Sequence, residues 1–391
     1  MKILIVTHTS NDIFIFNFIK WMKTYQPSWD VDVFEFYSNN KQTFDSSQYA
    51  DVTAVPLSTN KLLRFQLPKL FSPFYVRHYL KKYLKGKHYD IIQCHWIIAP
   101  IVISSFMKDY CDRLFVTFWG GELNNTKSKF CRILHSKKLY FYYLTRFLKA
   151  SDGIINSELW GKSCLNQFPF MKNKLYVGAF GSTPLEELYN LMDKETKSES
   201  KRKLGIPEHK ITVLIGYSGK QLHQHIPIIQ ELSKNSGLKD TIHLLAPMTR
   251  DASQPYIEEV KCELNNSGYT YTLLSGVFLK DEDVARLRNA TEITLQLSEF
   301  DGYSRSIIEC LCAKSLMIYG SWLDNYTERL ENDGFYALPV DSISDAVKKL
   351  AYIVNSHGFD IVQLQQNHEM GKGKNLWKIC IKDWIAIYSN K

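Results

Sequence analysis

Short, almost wholly apolar runs alternate along the chain with longer stretches in which apolar residues recur every three or four positions. The first run is MKILIVTHT. A run apolar on both of its faces suits a strand covered on both sides, as in a parallel sheet. From 11 to 25 apolar residues fall at 13, 14, 16, 18, 19, 21 and 22, which predicts a helix. VDVFEFY, DVTAVPL, YDIIQCHW, RLFVTFWGGEL, SDGIINSE and KLYVGAF read as further strands. The stretch 61–87 reads as helical in parts, with breaks at Pro68 and Pro73.

The segment 183–210 stands apart, because it carries the charged run DKETKSESKRK and few apolar residues; it is the candidate linker. Alternation then restarts. ITVLIGYSG, TIHLLAPM, TYTLLSG, ITLQLS, LMIYGS and FYALPV are strand-like, and YIEEVKCEL, DEDVARLRNA, 303–314 and 342–355 are helix-like. The tail NLWKICIKDWIAIYSNK predicts an amphipathic helix. The expected class is α/β: two Rossmann-like domains facing across a cleft, with ligands outside the carboxyl ends of the strands. The expected bounds are 1–182 for the first domain, 183–210 for the linker and 211–370 for the second domain. The expected final helix, 371–391, is free to cross back to the first.

With 391 residues, 45% of them apolar and 23% charged, the chain is long enough for two such cores. No run of about 20 apolar residues is present, so no membrane-spanning helix is expected. MKILIVTHTS reads as a strand of a cytosolic protein rather than a secretion leader. The eight cysteines are scattered without a CxxC pair, which points to reduced core thiols and away from zinc. The charge of +8 is uneven: eight Lys/Arg and no acid lie between Lys61 and His88, and seven more without an acid between Lys127 and Lys149. Both stretches are rich in Phe, Tyr and Leu. That mixture suits either solvated helix faces or an anionic lipid surface. No nucleic-acid-binding motif accompanies it.

Two turns carry the candidate chemistry. Asp301 to Glu309 reads DGYSRSIIE at a turn from strand into helix. There free N–H groups and the helix dipole favour an anion. Gly302 lets the backbone approach a ligand, Tyr303, Ser304 and Ser306 offer polar contacts, and Arg305 offers charge. The acids are roughly 10–12 Å apart along the chain, about the reach from a sugar to a ribose across a pyrophosphate. The second turn is Gly216-Tyr217-Ser218-Gly219-Lys220, glycine-rich at a strand end, with His223 and His225 following. On the first half, His8, Asn11, Asp12, His95, Trp96, Trp119, Gly120 and Glu122 end strands. Asp30-Val31-Asp32 and Asp281-Glu282-Asp283 are DxD-like, but one opens a strand and the other a helix, where Asp is an ordinary cap; no metal is expected.

Ser298-Glu299-Phe300-Asp301-Gly302-Tyr303-Ser304, followed by Glu309, resembles the S-x-x-E-G-F-G pattern of the retaining GT-B glycosyltransferases of the family-4 type, which has a second Glu eight residues on. ECLCAKSLMIYGS resembles the run that follows it there, with Lys314 and Leu316 in place of Gly and Pro, and Asp301 replaces the first Glu. YDIIQCHW and VTFWGGEL resemble that family's first-domain strand ends, with Trp119 for its His. GYSGKQLHQH is similar instead to an element of the family-56 Fuc4NAc-transferase type. The resemblance implies a metal-independent hexosyltransferase acting with retention on a nucleoside-diphosphate sugar, with no cofactor. It implies catalytic parts for Asp301 and Arg305, and Glu122 is the first-half carboxylate best placed to take a proton from an acceptor hydroxyl. The donor would meet Gly216, Ser218, Gly219, Lys220, His225, Gly276, Phe278, Gly302, Tyr303, Ser304 and, at the ribose, Glu309. The acceptor side would hold His8, Asn11, His95, Trp96, Trp119 and Gly120.

With the basic aromatic segments, these readings give a cytoplasmic enzyme peripheral at the inner membrane face. Its acceptor would be a lipid-linked or surface-polysaccharide glycan of O-antigen or capsule type. A sugar-nucleotide epimerase of the same fold and a catalytically silent sugar-nucleotide-binding subunit are the rival readings.

Overall fold

The computed structural model describes residues 1–7, 13–35, 51–54, 68–119, 122, 132–249, 252–276, 279–323 and 326–390. Contacts group them into two units, Met1–Gly181 with Trp377–Lys391, and Ser182–Leu376.

The first unit holds seven strands: β1 (Lys2–Thr7), β2 (Asp30–Glu35), β3 (Asp51–Ala54), β4 (Tyr89–His95), β5 (Cys111–Thr117), β6 (Gly153–Asn156) and β7 (Leu175–Val177). They form one sheet in the order β3-β2-β1-β4-β5-β6-β7, and each neighbouring pair is parallel. Successive side chains alternate between its faces. Leu4, Val6, Ile92 and Cys94 join a core with Val76, Leu80 and Leu84 of the Pro68–Leu84 helix and Tyr140, Leu144 and Phe147 of the Lys137–Ala150 helix. Ile3, Ile5, Ile91 and Phe115 join another, with Phe18 and Ile19 of the Ile13–Tyr25 helix and Trp384 and Tyr388 of the Trp377–Ser389 helix.

That last helix is held by specific bonds. Trp384 Nε1 donates to Ala179 O at 2.9 Å, Tyr388 Oη to Gln93 Oε1 at 3.0 Å, and the Arg113 guanidinium to carbonyls at its end, Ile387 O among them at 3.1 Å. Gly181 permits the close approach, since a Cβ there would sit 2.5 Å from Trp377 Cα.

The expected break at Pro73 does not occur, and the Pro68–Leu84 helix runs through it. Pro68 opens the helix, where an N–H is dispensable. Pro73 removes a ladder bond at a cost of about 3 kcal/mol. Full burial of Val76, Leu80 and Leu84 offsets it at about 1.5–3 kcal/mol each.

The second unit holds β8 (Ile211–Ile215), β9 (Ile242–Met248), β10 (Thr270–Ser275), β11 (Ile293–Gln296), β12 (Leu316–Gly320) and β13 (Leu338–Val340). Their order is β10-β9-β8-β11-β12-β13, again all parallel. The segment read as a linker contains two helices of this unit, Thr183–Met192 and Lys197–Lys203. Several of its charges are engaged in the fold. Lys197 Nζ donates to Asn289 O, Thr291 O and Ala313 O at 2.8–3.1 Å, Lys201 pairs with Glu292 at 2.5 Å, and Glu195 pairs with Arg286 at 3.1 Å. A further helix, Ile361–Lys374, was not expected from the sequence.

Among the described residues five buried histidines, His368 among them, have their pKa lowered by desolvation. His95 and His223 are lowered to about 3, and His225 and His243 to about 4. In the unfolded chain they titrate near 6.5. Below that pH the unfolded state takes up protons that the folded state refuses, so stability is full above pH 6.5 and falls as pH drops toward 4. Urea midpoints measured from pH 7.5 to 4.5 should decline, with up to about 1.4 kcal/mol lost per pH unit for each of these histidines. A flat profile would contradict their neutral burial.

Candidate active site

In the second unit strand order reverses between β8 and β11, and a crevice opens outside their carboxyl ends at such a point. The two turns singled out in the sequence leave these strands. Glycine is required in the first. Gly216 has φ 68, and a Cβ there would meet His225 Nε2 at 2.8 Å, while one on Gly219 would meet Ala252 Cβ at 2.2 Å. The two turns are tied together: Glu299 N–H donates to Leu222 O at 2.8 Å, Ser218 Oγ meets His223 Nε2 at 2.9 Å, and His223 Nδ1 meets Ser298 Oγ at 2.8 Å.

Asp301 lies at the centre, 8% exposed. Its Oδ2 accepts from Tyr326 Oη at 2.6 Å and from Gln296 Nε2. Burial raises its pKa above the ordinary aspartate value, and the Tyr326 and Tyr217 hydroxyls with the Gly302 and Ser304 N–H groups oppose that rise. Tyr303 takes φ 64, a left-handed conformation rare for a bulky residue. Its surroundings hold it there. Its hydroxyl donates to Asp333 Oδ2 at 3.1 Å, the Arg329 guanidinium lies 5.5 Å from its ring centre, and Arg329 Nη1 donates to Gly302 O at 3.0 Å. Such strain persists where neighbours over-determine it, and it concentrates at functional sites. Ser304 then caps the Arg305–Cys312 helix, its Oγ accepting from Ser306 N at 3.2 Å.

Arg305 and Glu309 of that helix turn inward. Arg305 donates to Asn375 Oδ1. Glu309 is 4% exposed; its Oε1 accepts from Ser182 Oγ at 2.7 Å and its Oε2 pairs with Arg288 at 3.3 Å. Lys220 is exposed at the first turn. His225 is buried, with Nδ1 3.2 Å from Tyr256 Oη. Gly276, with φ 71 and open space around a Cβ, ends β10, two strands from β8.

In the first unit order reverses between β1 and β4. His95 ends β4, fully buried among Phe18, Trp119, Phe180 and Trp384, and neither ring nitrogen has a hydrogen-bond partner among the described residues. Trp96, with φ 59, stacks on Trp119 at 5.0 Å and 9°. Glu122 is 4% exposed; Oε1 accepts from Ile97 N at 2.9 Å and Oε2 from Trp119 N at 3.0 Å. That geometry fixes both oxygens of Glu122, the carboxylate read from the sequence as a proton acceptor, against the backbone at Ile97 and Trp119. His8, Asn11, Gly120 and Phe278 lie outside the described residues.

Sequence reading missed Gln296, Tyr326, Arg329 and Arg288. Only Arg288 left a signal: it follows Ala285 by three positions on the apolar stripe of the Asp281–Asn289 helix, where an unpaired cation would be costly.

No protein-family model matches the chain, and no curated protein matches it in sequence. Solved structures do resemble it over its whole length. A glycosyltransferase from Rickettsia africae is 14% identical with a TM-score of 0.69, covering 99% of this chain and 97% of its own. Sucrose-phosphate synthase from Thermosynechococcus elongatus is 12% identical with a TM-score of 0.69, covering 99% and 98%. HepE from Anabaena, solved in complex with UDP, is 14% identical with a TM-score of 0.68 and covers 100% of both chains. These likenesses give the fold: two parallel-sheet α/β domains of GT-B type.

The Glu309–Arg288 pair carries a stability consequence. Glu309→Ala leaves a buried guanidinium without its carboxylate, and chemical denaturation should show a loss of about 3–5 kcal/mol. A loss below about 1 kcal/mol, typical of an exposed pair, would contradict the buried geometry.

Proposed function

We propose that the chain is a glycosyltransferase, of hexosyltransferase type and acting with retention, that moves a sugar from a nucleoside-diphosphate sugar to a glycan acceptor. The observation that carries this reading is the buried Asp301 carboxylate beside the amino end of the Arg305–Cys312 helix at the β8/β11 reversal. Support comes from neighbours of the same fold: HepE was solved with UDP-glucose, and another neighbour is described as a glycosyltransferase. In this reading Tyr303, Ser304 and the adjacent N–H groups receive the diphosphate. Arg305 and Lys220 offset its charge as it leaves, without a metal. Asp301 holds sugar hydroxyls, and Glu309 takes the ribose in exchange for the Ser182 hydroxyl.

The acceptor in this reading is lipid-linked or a surface polysaccharide of O-antigen or capsule type, met at the cytosolic face of the cell membrane. Supporting it, the Pro68–Leu84 and Lys137–Ala150 helices contain no acid, and they expose Lys81, Lys82, Phe74, Lys138, Tyr142, Arg146 and Lys149. Among the described residues no helix is long and apolar enough to cross a membrane.

Two measurements test these statements. UDP-, GDP- and dTDP-sugars should be compared for thermal stabilisation and for turnover with a membrane extract. One should stabilise and turn over, and Asp301→Asn should lower turnover by about 100-fold or more. Stabilisation without turnover would favour the silent binding subunit, and no stabilisation at millimolar donor would sink the donor site. Sedimentation with vesicles containing phosphatidylserine should fall as salt rises, and fall again when Lys81, Lys82 and Lys85 become Glu. Binding indifferent to both would remove the membrane from the reading.

A further inference from the structure

We infer that His223 is a positioning residue that fixes the proton direction of a buried hydrogen-bond chain ending on Asp301. The inference concerns the same site and rests on the transferase reading for its kinetic consequences, though not for its geometry.

The chain runs Ser218–His223–Ser298–Gln296–Asp301. Its members are 6%, 1%, 0%, 1% and 8% exposed, so water does not compete for the bonds. Its direction follows from the acid end. An aspartate carboxylate only accepts, so Gln296 presents its amide N–H to Asp301 Oδ2 and turns Oε1 away. Oε1 only accepts, so Ser298 Oγ–H donates to it, at 3.4 Å. The Ser298 oxygen then accepts from His223 Nδ1 at 2.8 Å, which puts the imidazole proton on Nδ1. His223 Nε2 is left to accept from Ser218 Oγ–H at 2.9 Å. All four bonds point one way; the serine hydroxyls follow their neighbours by rotating, whereas the imidazole reverses only by moving its proton from Nδ1 to Nε2, so its tautomer holds the direction.

Asp301 needs this support. It is buried at a turn whose neighbour Tyr303 is strained, and sugar hydroxyls must find its oxygens in one orientation. Tyr217, Tyr326 and Arg329 also face it. Around His223 stand the Tyr217 ring at 4.3 Å, the His225 ring at 5.8 Å and the Lys220 charge. The separate tie from Glu299 N–H to Leu222 O keeps the two turns together when the imidazole is altered.

The test has two arms. In the first, uniformly folded protein labelled with 15N-histidine is examined by NMR from pH 5 to 8, with the His223 resonances assigned by their loss in His223→Asn. A neutral ring protonated on Nδ1 throughout is expected; an Nε2–H tautomer, or an imidazolium appearing above pH 5, overturns the proposal. This arm needs no substrate, so it decides the chain even if no donor is turned over and the transferase reading fails. In the second, with the donor that the wild type uses, kcat and KM are compared across pH. His223→Asn can still donate to Ser298, as Nδ1 does, and should stay within about threefold of wild type. His223→Gln reaches Ser218 instead and loses that donor. Its kcat should fall roughly 10–100-fold with donor KM little changed, and the acid limb of its kcat/KM profile should move up by about one pH unit. Equal behaviour of the two variants, or a loss confined to thermal stability, would reduce His223 to a packing residue.

Discussion

A carboxylate can remain ionised inside a folded unit only where donors meet it, and the second unit is organised around that requirement at Asp301. The donors come from either side in the chain: Gln296 from the end of β11 five residues before, and Tyr326 from the head of a later helix. The strand reversal between β8 and β11 brings the Ser218 turn against the same loop. A few residues later Glu309 meets the same demand differently, answered by the Arg288 guanidinium and the Ser182 hydroxyl. Two acids on one short segment are thus both buried, one among neutral donors and one in an ion pair. The first can change partners at little electrostatic expense, whereas separating the second strands a cation.

The backbone between them is under tension. Tyr303 sits in the left-handed region immediately before the Ser304 cap, where glycine would be relaxed. Keeping a tyrosine there means that its ring matters more than its backbone comfort. The hydroxyl reaches Asp333, and Arg329 joins the ring to the Gly302 carbonyl. The Tyr326–Asp333 helix therefore secures both the acid, through its first residue, and the turn, through its last. The first unit uses a similar device. Trp96 is also left-handed, and Glu122 braces the adjoining backbone at Ile97 and Trp119.

Much of this was legible in the residues, because it is local. Unbroken apolar runs and helical spacing marked the strands and helices of two parallel sheets. The turn from Ser298 to Ser304 announced itself through glycine, serine and acid placed between strand and helix. What was illegible is what arises from contact. Tyr326 and Gln296 look like ordinary core and strand residues until the fold sets them against Asp301. Glu122 looks like a free carboxylate until two backbone N–H groups claim its oxygens. The charged run at 193–203 looks solvated, yet Lys197 closes the ends of two helices by taking three carbonyls. Pro73 looks like a break because the burial that overrides it lies one and more turns further on.

The placement of the Trp377–Ser389 helix bears on how the protein is made. It covers the sheet face carrying Ile3, Ile5 and Phe115, yet it emerges from the ribosome only after the whole of the second unit. During synthesis the first unit has only the Ile13–Tyr25 helix to cover that apolar face, while the second, one continuous segment, has all of its residues to hand. The first unit therefore cannot be complete until the second has been made. The unit begun first is completed last, and part of its apolar surface stays open to water until the final residues arrive.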